Sequence, residues 1–180
     1  MRQRLGDRLQ VRWRYFPLEQ VNSKEGPDWK FWEQPSDAPL RGQLAFRAAA
    51  AARRQGEAAF ERFHLALLRL RHVDRQDLRE MATVERAAEE AGLDLARWRR
   101  DMDDPAILAP LGEDFTHARE RYGVFGTPTF VYADGTAAYL KMRPEPSDEE
   151  TMRVFELLQD IMAERRYIEE IKRPAPPAAG

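Results

Sequence analysis

The chain contains no cysteine. That absence excludes disulfides, thiolate metal sites and any thiol nucleophile supplied by these 180 residues. Histidine is scarce as well: His64, His72 and His117 are the three present, their spacing matches no metal-ligand pattern, and none joins a Glu in the helix-borne zinc arrangement. No apolar run approaches the roughly 18 residues that a bilayer span requires. Met1 to Asp7 is charged and has no apolar stretch behind it, unlike a secretory leader. There is no glycine-rich loop to cradle a phosphate. Basic and acidic residues number 29 and 31 and are interspersed, giving a net charge of −2, so no field suits nucleic acid. Local arginine runs such as Arg53-Arg54 and Arg97-Trp-Arg-Arg100 read as solvated helix faces. The expectation is a soluble protein with no cofactor, no metal, no nucleic acid and no membrane partner.

What is present is enough for a packed core. Hydrophobic residues make up 43% of the chain, including four Trp, and the 33% that are charged suffice to cover them. Residues 9–16 alternate apolar and polar through Val11, Trp13 and Tyr15, with Arg12 and Arg14 opposite, which predicts a strand. Pro17 to Pro39 is rich in proline and predicts an ordered irregular loop with short turns. From Leu40 to about Tyr122 the period is helical. Ala45, Ala48, Ala49 and Ala52 form one close-packing stripe; Phe60, Phe63, Leu67, Leu68 and Leu70 form the next, with Gly56 as the break. Leu78, Met81, Val84 and Ala88 predict a third helix that stops at Gly92. Asp94 caps a short helix through Trp98 to Met102, and Pro105 suits the first turn of one ending at Tyr122-Gly123.

After Gly123 the period changes. Residues 129–132 predict a strand, Ala133-Asp-Gly-Thr136 a hairpin turn centred on Asp-Gly, and 137–142 the return strand. Ser147 and Glu150 predict a capping box for a helix running to about Ile171, and residues 174–180 a flexible tail. The predicted organisation is therefore a strand and Pro/Trp-rich loop over 1–39, a helical insertion over 40–122, and a loop, hairpin and helix over 123–173. There is no internal repeat.

The most informative stretch lies at the start of that last segment. Gly123-Val-Phe-Gly-Thr-Pro-Thr-Phe-Val131 resembles the cis-proline loop of thioredoxin-fold oxidoreductases, and the order strand, helices, this loop, hairpin, helix resembles the DsbA-like thioredoxin domain, an α/β thioredoxin-like fold with an inserted helical block. Val11-Arg-Trp-Arg-Tyr-Phe-Pro-Leu-Glu-Gln-Val-Asn22 and Pro27-Asp-Trp-Lys-Phe-Trp32 resemble the FrnE-like and 2-hydroxychromene-2-carboxylate isomerase-like subfamily, and the likeness covers residues 8 to 173. It implies that the Thr127-Pro128 bond is cis, that Thr127 pairs with an extended substrate segment, and that Pro128 and Gly126 complete the docking surface. Gly126 and Gly123 would permit a close approach, although each could equally be a helix cap or a turn glycine. The likeness also implies a cytoplasmic protein.

Members of that family carry a strand and a Cys- or Ser-containing turn ahead of the strand matched by residues 9–16. Eight residues leave no room for them, since a β-α-β unit needs roughly 30. The expectation is an N-terminally truncated form that lacks the interior strand between residues 9–16 and 129–132; the alternative is a complete protein that fills the gap by rearrangement or with a partner's strand. Three functions follow. The first is a relative of thiol-disulfide oxidoreductases that is inactive in dithiol chemistry as it stands, the second a relative of low-molecular-weight-thiol-dependent isomerases or reductases, and the third a non-catalytic binding module. A protein thiol or a low-molecular-weight thiol is the expected substrate, and the oligomeric state is open. Other candidates read as structural. His64 belongs to a helix flank; Asp101, Asp103 and Asp104 lack the glycine and terminal Glu of a calcium loop and suit capping; Ser23 and Ser147 have no neighbouring base. Trp29, Phe31 and Trp32 suit either a cleft lining or a lid on the core.

Overall fold

The computed structural model describes residues 5, 6, 9–142, 146, 147 and 149–171. Its contacts divide into two compact units: Arg14–His117, and Met1–Trp13 with Ala118–Gly180. Residues 14–39 therefore pack with the helices, whereas the sequence pattern groups them with the sheet.

The first unit is helical. A short helix α1 (Leu18–Asn22) and a 3-10 turn (Phe31–Glu33) lead into α2 (Gln43–Arg53), α3 (Glu57–His72), α4 (Met81–Glu90), α5 (Leu95–Met102) and α6 (Ala109–Tyr122), whose last turn belongs to the second unit. The alanine run explains the packing: Ala48, Ala51 and Ala52 are fully buried, and their small side chains let α3, α4 and α5 close on α2. Phe63, Leu70, Val84, Ala87 and Ala88 fill the space between α3 and α4, each large apolar side chain stabilising by about 1.5–3 kcal/mol. Trp98 is also fully buried, and its indole Nε1–H donates to the Ala48 carbonyl at 2.9 Å, so the one polar atom it brings into the core is satisfied.

Polar groups fix the irregular segments to these helices. The Glu19 carboxylate accepts from the N–H groups of Arg41 and Gly42, both at 2.9 Å, and so serves the start of α2 from 23 residues away. Gln20 brackets the 3-10 turn, accepting from Phe31 N–H at 2.7 Å and donating to the Trp29 carbonyl at 2.9 Å. Arg47, buried on α2, donates to the carbonyls of Met102 and Asp104 at the end of α5.

Residues 9–16 form no strand. A ladder needs a partner backbone about 4.8 Å away, and among the described residues no strand lies alongside this segment. Its polar backbone is used otherwise: Tyr15 N–H donates to Asp114 Oδ2 at 3.0 Å and Arg14 pairs with Asp114 Oδ1 at 2.7 Å, while Tyr15 and Phe16 are buried among the helices. The helix predicted from Leu78 begins at Met81, because Asp77 accepts from Arg79 N–H at 3.0 Å and holds a turn there. Pro105 lies in a turn rather than in α6; Asp104 accepts from Ala106 N–H at 2.9 Å, and α6 starts at Ala109. The Asp94 cap is present, accepting from Arg97 N–H at 3.0 Å.

The second unit holds the sheet. Strands β1 (Thr129–Val131) and β2 (Ala137–Tyr139) are antiparallel, with Thr129 opposite Tyr139, Phe130 opposite Ala138 and Val131 opposite Ala137. Both are shorter than their patterns predict. The turn differs in type as well. Gly135 N–H donates to the Tyr132 carbonyl and Tyr132 N–H to the Thr136 carbonyl, both at 2.9 Å, so Ala133 and Asp134 occupy the centre and Gly135, at φ +85°, is the bulge residue. A turn centred on Asp-Gly would need positive φ at both residues, and Asp134 does not adopt it. Beyond the hairpin, α7 (Thr151–Gln159) is followed by a π turn over Asp160–Glu164, and the predicted helix stops there instead of at Ile171. Tyr167 and Ile171 are 80% and 64% exposed, and without tertiary packing a helix end of this kind is not held. Ser147 accepts from Glu150 N–H at 3.3 Å and its hydroxyl meets Glu150 Oε2, but the helix starts at Thr151 with Glu150 at its N-cap, so the predicted Ser147 cap is displaced into the preceding turn. The predicted tail, residues 174–180, lies outside the described residues.

Candidate functional site

The Thr127-Pro128 loop is built from a helix end, a glycine under an aromatic ring and a hairpin. Gly123 adopts φ +63° where α6 ends, a left-handed value that glycine takes without Cβ cost. The chain turns there so that Val124 N–H reaches the Ala118 carbonyl at 3.1 Å, and the Arg119 guanidinium donates to the Val124 carbonyl at 3.0 Å. Gly123 is thus a helix cap. Gly126 serves a close approach instead. A Cβ placed on it would stand 3.2 Å from Tyr139 Cε2, so the glycine lets the loop lie against that ring. Phe125 packs on the same ring, centroids 5.0 Å apart.

Thr127 and Pro128 follow, both exposed, and the bond between them is cis. The Thr129 hydroxyl donates to the Gly126 carbonyl at 2.7 Å and closes the loop across them. The Pro128 carbonyl accepts from Leu140 N–H at 3.1 Å, which ties the loop to the far strand of the hairpin. Thr127 and Pro128 thus form a surface element on one support, whereas Gly126, against the Tyr139 ring, is buried. The sequence pattern does not single out Tyr139, which the observed register places opposite Thr129.

The remaining candidates are dispersed. His64 is half-buried on α3 and stacked on Phe60 with centroids 5.6 Å apart; burial, aided by the Arg53 cation, pushes its imidazole down to about 4. The Arg53 guanidinium lies 3.7 Å from the Phe60 ring centroid and 4.6 Å from that of Tyr15, whose phenol burial pushes up to about 12. His72 and His117 are exposed. Asp101 pairs with Arg54 at 3.5 Å and Arg97 at 3.7 Å; Asp104 pairs with Arg54 at 2.5 Å, and that hydrogen bond holds its carboxyl below the usual range. Asp103 ends α5. Ser23 accepts from Glu25 N–H at 3.1 Å. Phe31 is fully buried against Phe46, and Trp32 lies over Gly112 and beside Phe115, so these two aromatic residues cover the core. Among the described residues no three His, Asp or Glu side chains converge as a metal set.

Chemically, the loop offers backbone groups and apolar contact, and it holds no acid, base or nucleophile. Comparison with known families shows what such a loop belongs to. The family model for the DSBA-like thioredoxin domain matches residues 1–152. The chain belongs to this family. Its helical unit and short sheet accord with an α/β DSBA-like domain that is mostly helical, and its lack of cysteine sets it apart from members that exchange disulfides through their own thiols. No curated protein matches the chain. Among the described residues no helix is long and apolar enough to cross a membrane.

Proposed function

We propose that this DSBA-like domain is a docking module related to the thiol-disulfide oxidoreductases, in which Gly126, Thr127 and Pro128 receive a thiol-bearing substrate while the chain itself performs no dithiol exchange. The observation that carries the reading is the exposure of Thr127 and Pro128 on a loop fastened by Gly123, Thr129 and Tyr139, in a family domain without a cysteine. A thiolate is the attacking group in disulfide exchange. Without one, binding is the chemistry left to the loop. The Val11–Asn22 and Pro27–Trp32 stretches support the FrnE-like subfamily, and with it a cytoplasmic setting and a protein or low-molecular-weight thiol as substrate.

Two measurements test the reading. Purified protein added to insulin and dithiothreitol is expected to leave the reduction rate at its uncatalysed value; acceleration proportional to protein would overturn the redox-silent assignment. Amide spectra titrated with a cysteine-containing peptide and, separately, with glutathione are expected to shift Gly126 and Thr127. Shifts from neither ligand would overturn the docking assignment, and a response to glutathione alone would select the low-molecular-weight thiol.

A further inference from the structure

The outer face of α3 carries a short apolar seam whose flanking polar residues match it to a second copy of itself. Phe60, Phe63, Leu67 and Leu70 bury one side of this helix. Leu65 and Leu68 lie on the opposite side, 48% and 37% exposed, although the sequence pattern groups Leu68 with the core stripe. A single exposed leucine needs no explanation. These two share a face, and Glu61 and His72 extend it by one turn in each direction, so that positions 61, 65, 68 and 72 follow the spacing of a helix-pairing seam.

The seam is self-complementary when two copies run in opposite directions. Leu65 and Leu68 are placed symmetrically about the point between Ala66 and Leu67, and so are Glu61 and His72. Across a twofold axis at that point, Leu65 of each copy packs on Leu68 of the other, and each Glu61 carboxylate meets the imidazole of the second copy's His72. A parallel pair would instead set Glu61 against Glu61 and His72 against His72. The helix ends favour the same choice: the first turn holds Glu57 and the last turn Arg69, Arg71 and His72, so an antiparallel pair brings acidic ends beside basic ends. Glu57 is paired with Arg53, and Arg69 with Asp74 and Glu90, inside the chain, so the contacts across the axis fall to the seam residues.

We propose that this face of α3 is a self-association surface, on which a second copy of the chain docks as an antiparallel helix pair through Glu61, Leu65, Leu68 and His72. The seam spans about 16 Å of helix. The contact therefore belongs to the small, weak class of interfaces, and it forms and dissolves with protein concentration. The inference stands apart from the thiol reading, because the Thr127-Pro128 loop takes no part.

Sedimentation equilibrium of the full chain, from dilute solution up to about 1 mM, tests it. A monomer–dimer equilibrium is expected; a monomer throughout, or a species larger than a dimer, would overturn the proposal. Leu65→Glu is expected to weaken the dimer by about thirtyfold or more. Dimerisation unmoved by that change would assign the contact to another face, such as the hairpin, and would equally overturn it. Glu61→Lys sets donor against donor and His72→Glu sets carboxylate against carboxylate, so each should weaken the dimer about two- to tenfold. The double variant Glu61→Lys/His72→Glu reverses the pair and should return dimerisation to near that of the parent, with circular dichroism of all three variants unchanged. Losses that add in the double variant would show that the two residues act on α3 itself rather than across the axis, and the proposal would fall.

Discussion

In the helical unit Phe31, Phe63, Leu70 and Trp98 are removed from water, whereas in the hairpin unit Phe125, Phe130, Tyr139 and Leu157 stand 61%, 48%, 37% and 51% exposed. Among the described residues of the hairpin unit only Val124 and Gly126 are buried. Side chains of similar size thus contribute very differently. The helices are stabilised by burial, and the hairpin by turn geometry, a helix cap and a few hydrogen bonds. The candidate docking loop sits in the second kind of structure, consistent with the way binding segments are drawn from the low-stability end of a protein.

The largest expected effect is a test of the first half of that comparison. Trp98→Ala leaves a cavity in the helical unit and removes the indole donor to the Ala48 carbonyl, so urea denaturation should show a loss of about 3–5 kcal/mol. A loss near zero would mean that this core does not hold the unit. Gly112→Ala probes the same unit from the opposite direction. A Cβ there would stand 2.6 Å from Trp32 Nε1, and the overpacking should cost about 1–3 kcal/mol, with Trp32 fluorescence altered. A neutral result would show that the indole moves aside freely.

These side chains also mark where the sequence was legible. The helical period located α2 to α6 because alanine and leucine stripes repeat on one face whatever the partner is, and Asp94 announced its cap through a local contact. Residues 9–16 misled because alternation describes side chains, while a strand requires a partner backbone; here Asp114 takes the Tyr15 N–H from 99 residues away. Asp114 itself was hidden, since a carboxylate on a helix between Leu111 and Phe115 reads as a surface residue until the fold brings Arg14 to it. The loop was legible as a motif; in the structure Thr127 and Pro128 are exposed and Gly126 is buried. Its support was not legible: the contact of Gly126 with Tyr139 depends on hairpin register, and the register depends on a turn whose central residues were misplaced by one.

A pH series separates the units by a smaller margin. His64 titrates at about 4 in the folded helical unit, against 6.5 for the unperturbed group. Between those values the unfolded chain binds a proton that the folded chain does not. Stability should therefore be insensitive to this residue above pH 6.5 and fall as the pH drops from 6.5 toward 4, by up to about 1.4 kcal/mol per pH unit. His64→Phe should flatten that decline relative to the parent. Parallel profiles would mean that the imidazole is hydrated and that the α3 flank is looser than its stacking on Phe60 indicates.

The smallest effect belongs to the hairpin. Gly135 holds φ +85°, and Gly135→Ala forces a side chain into the left-handed region at a cost of about 1–2 kcal/mol. In a packed unit that unfolds in one cooperative step, a cost of that size lowers the global transition. In the hairpin it should appear only locally: the Tyr132 amide, which donates to Thr136 across the turn, should exchange several-fold faster while the denaturation midpoint of the helical unit is unmoved. If the midpoint instead falls with the local exchange, the hairpin and the helices form one cooperative structure. The docking loop would then share the stability of the core.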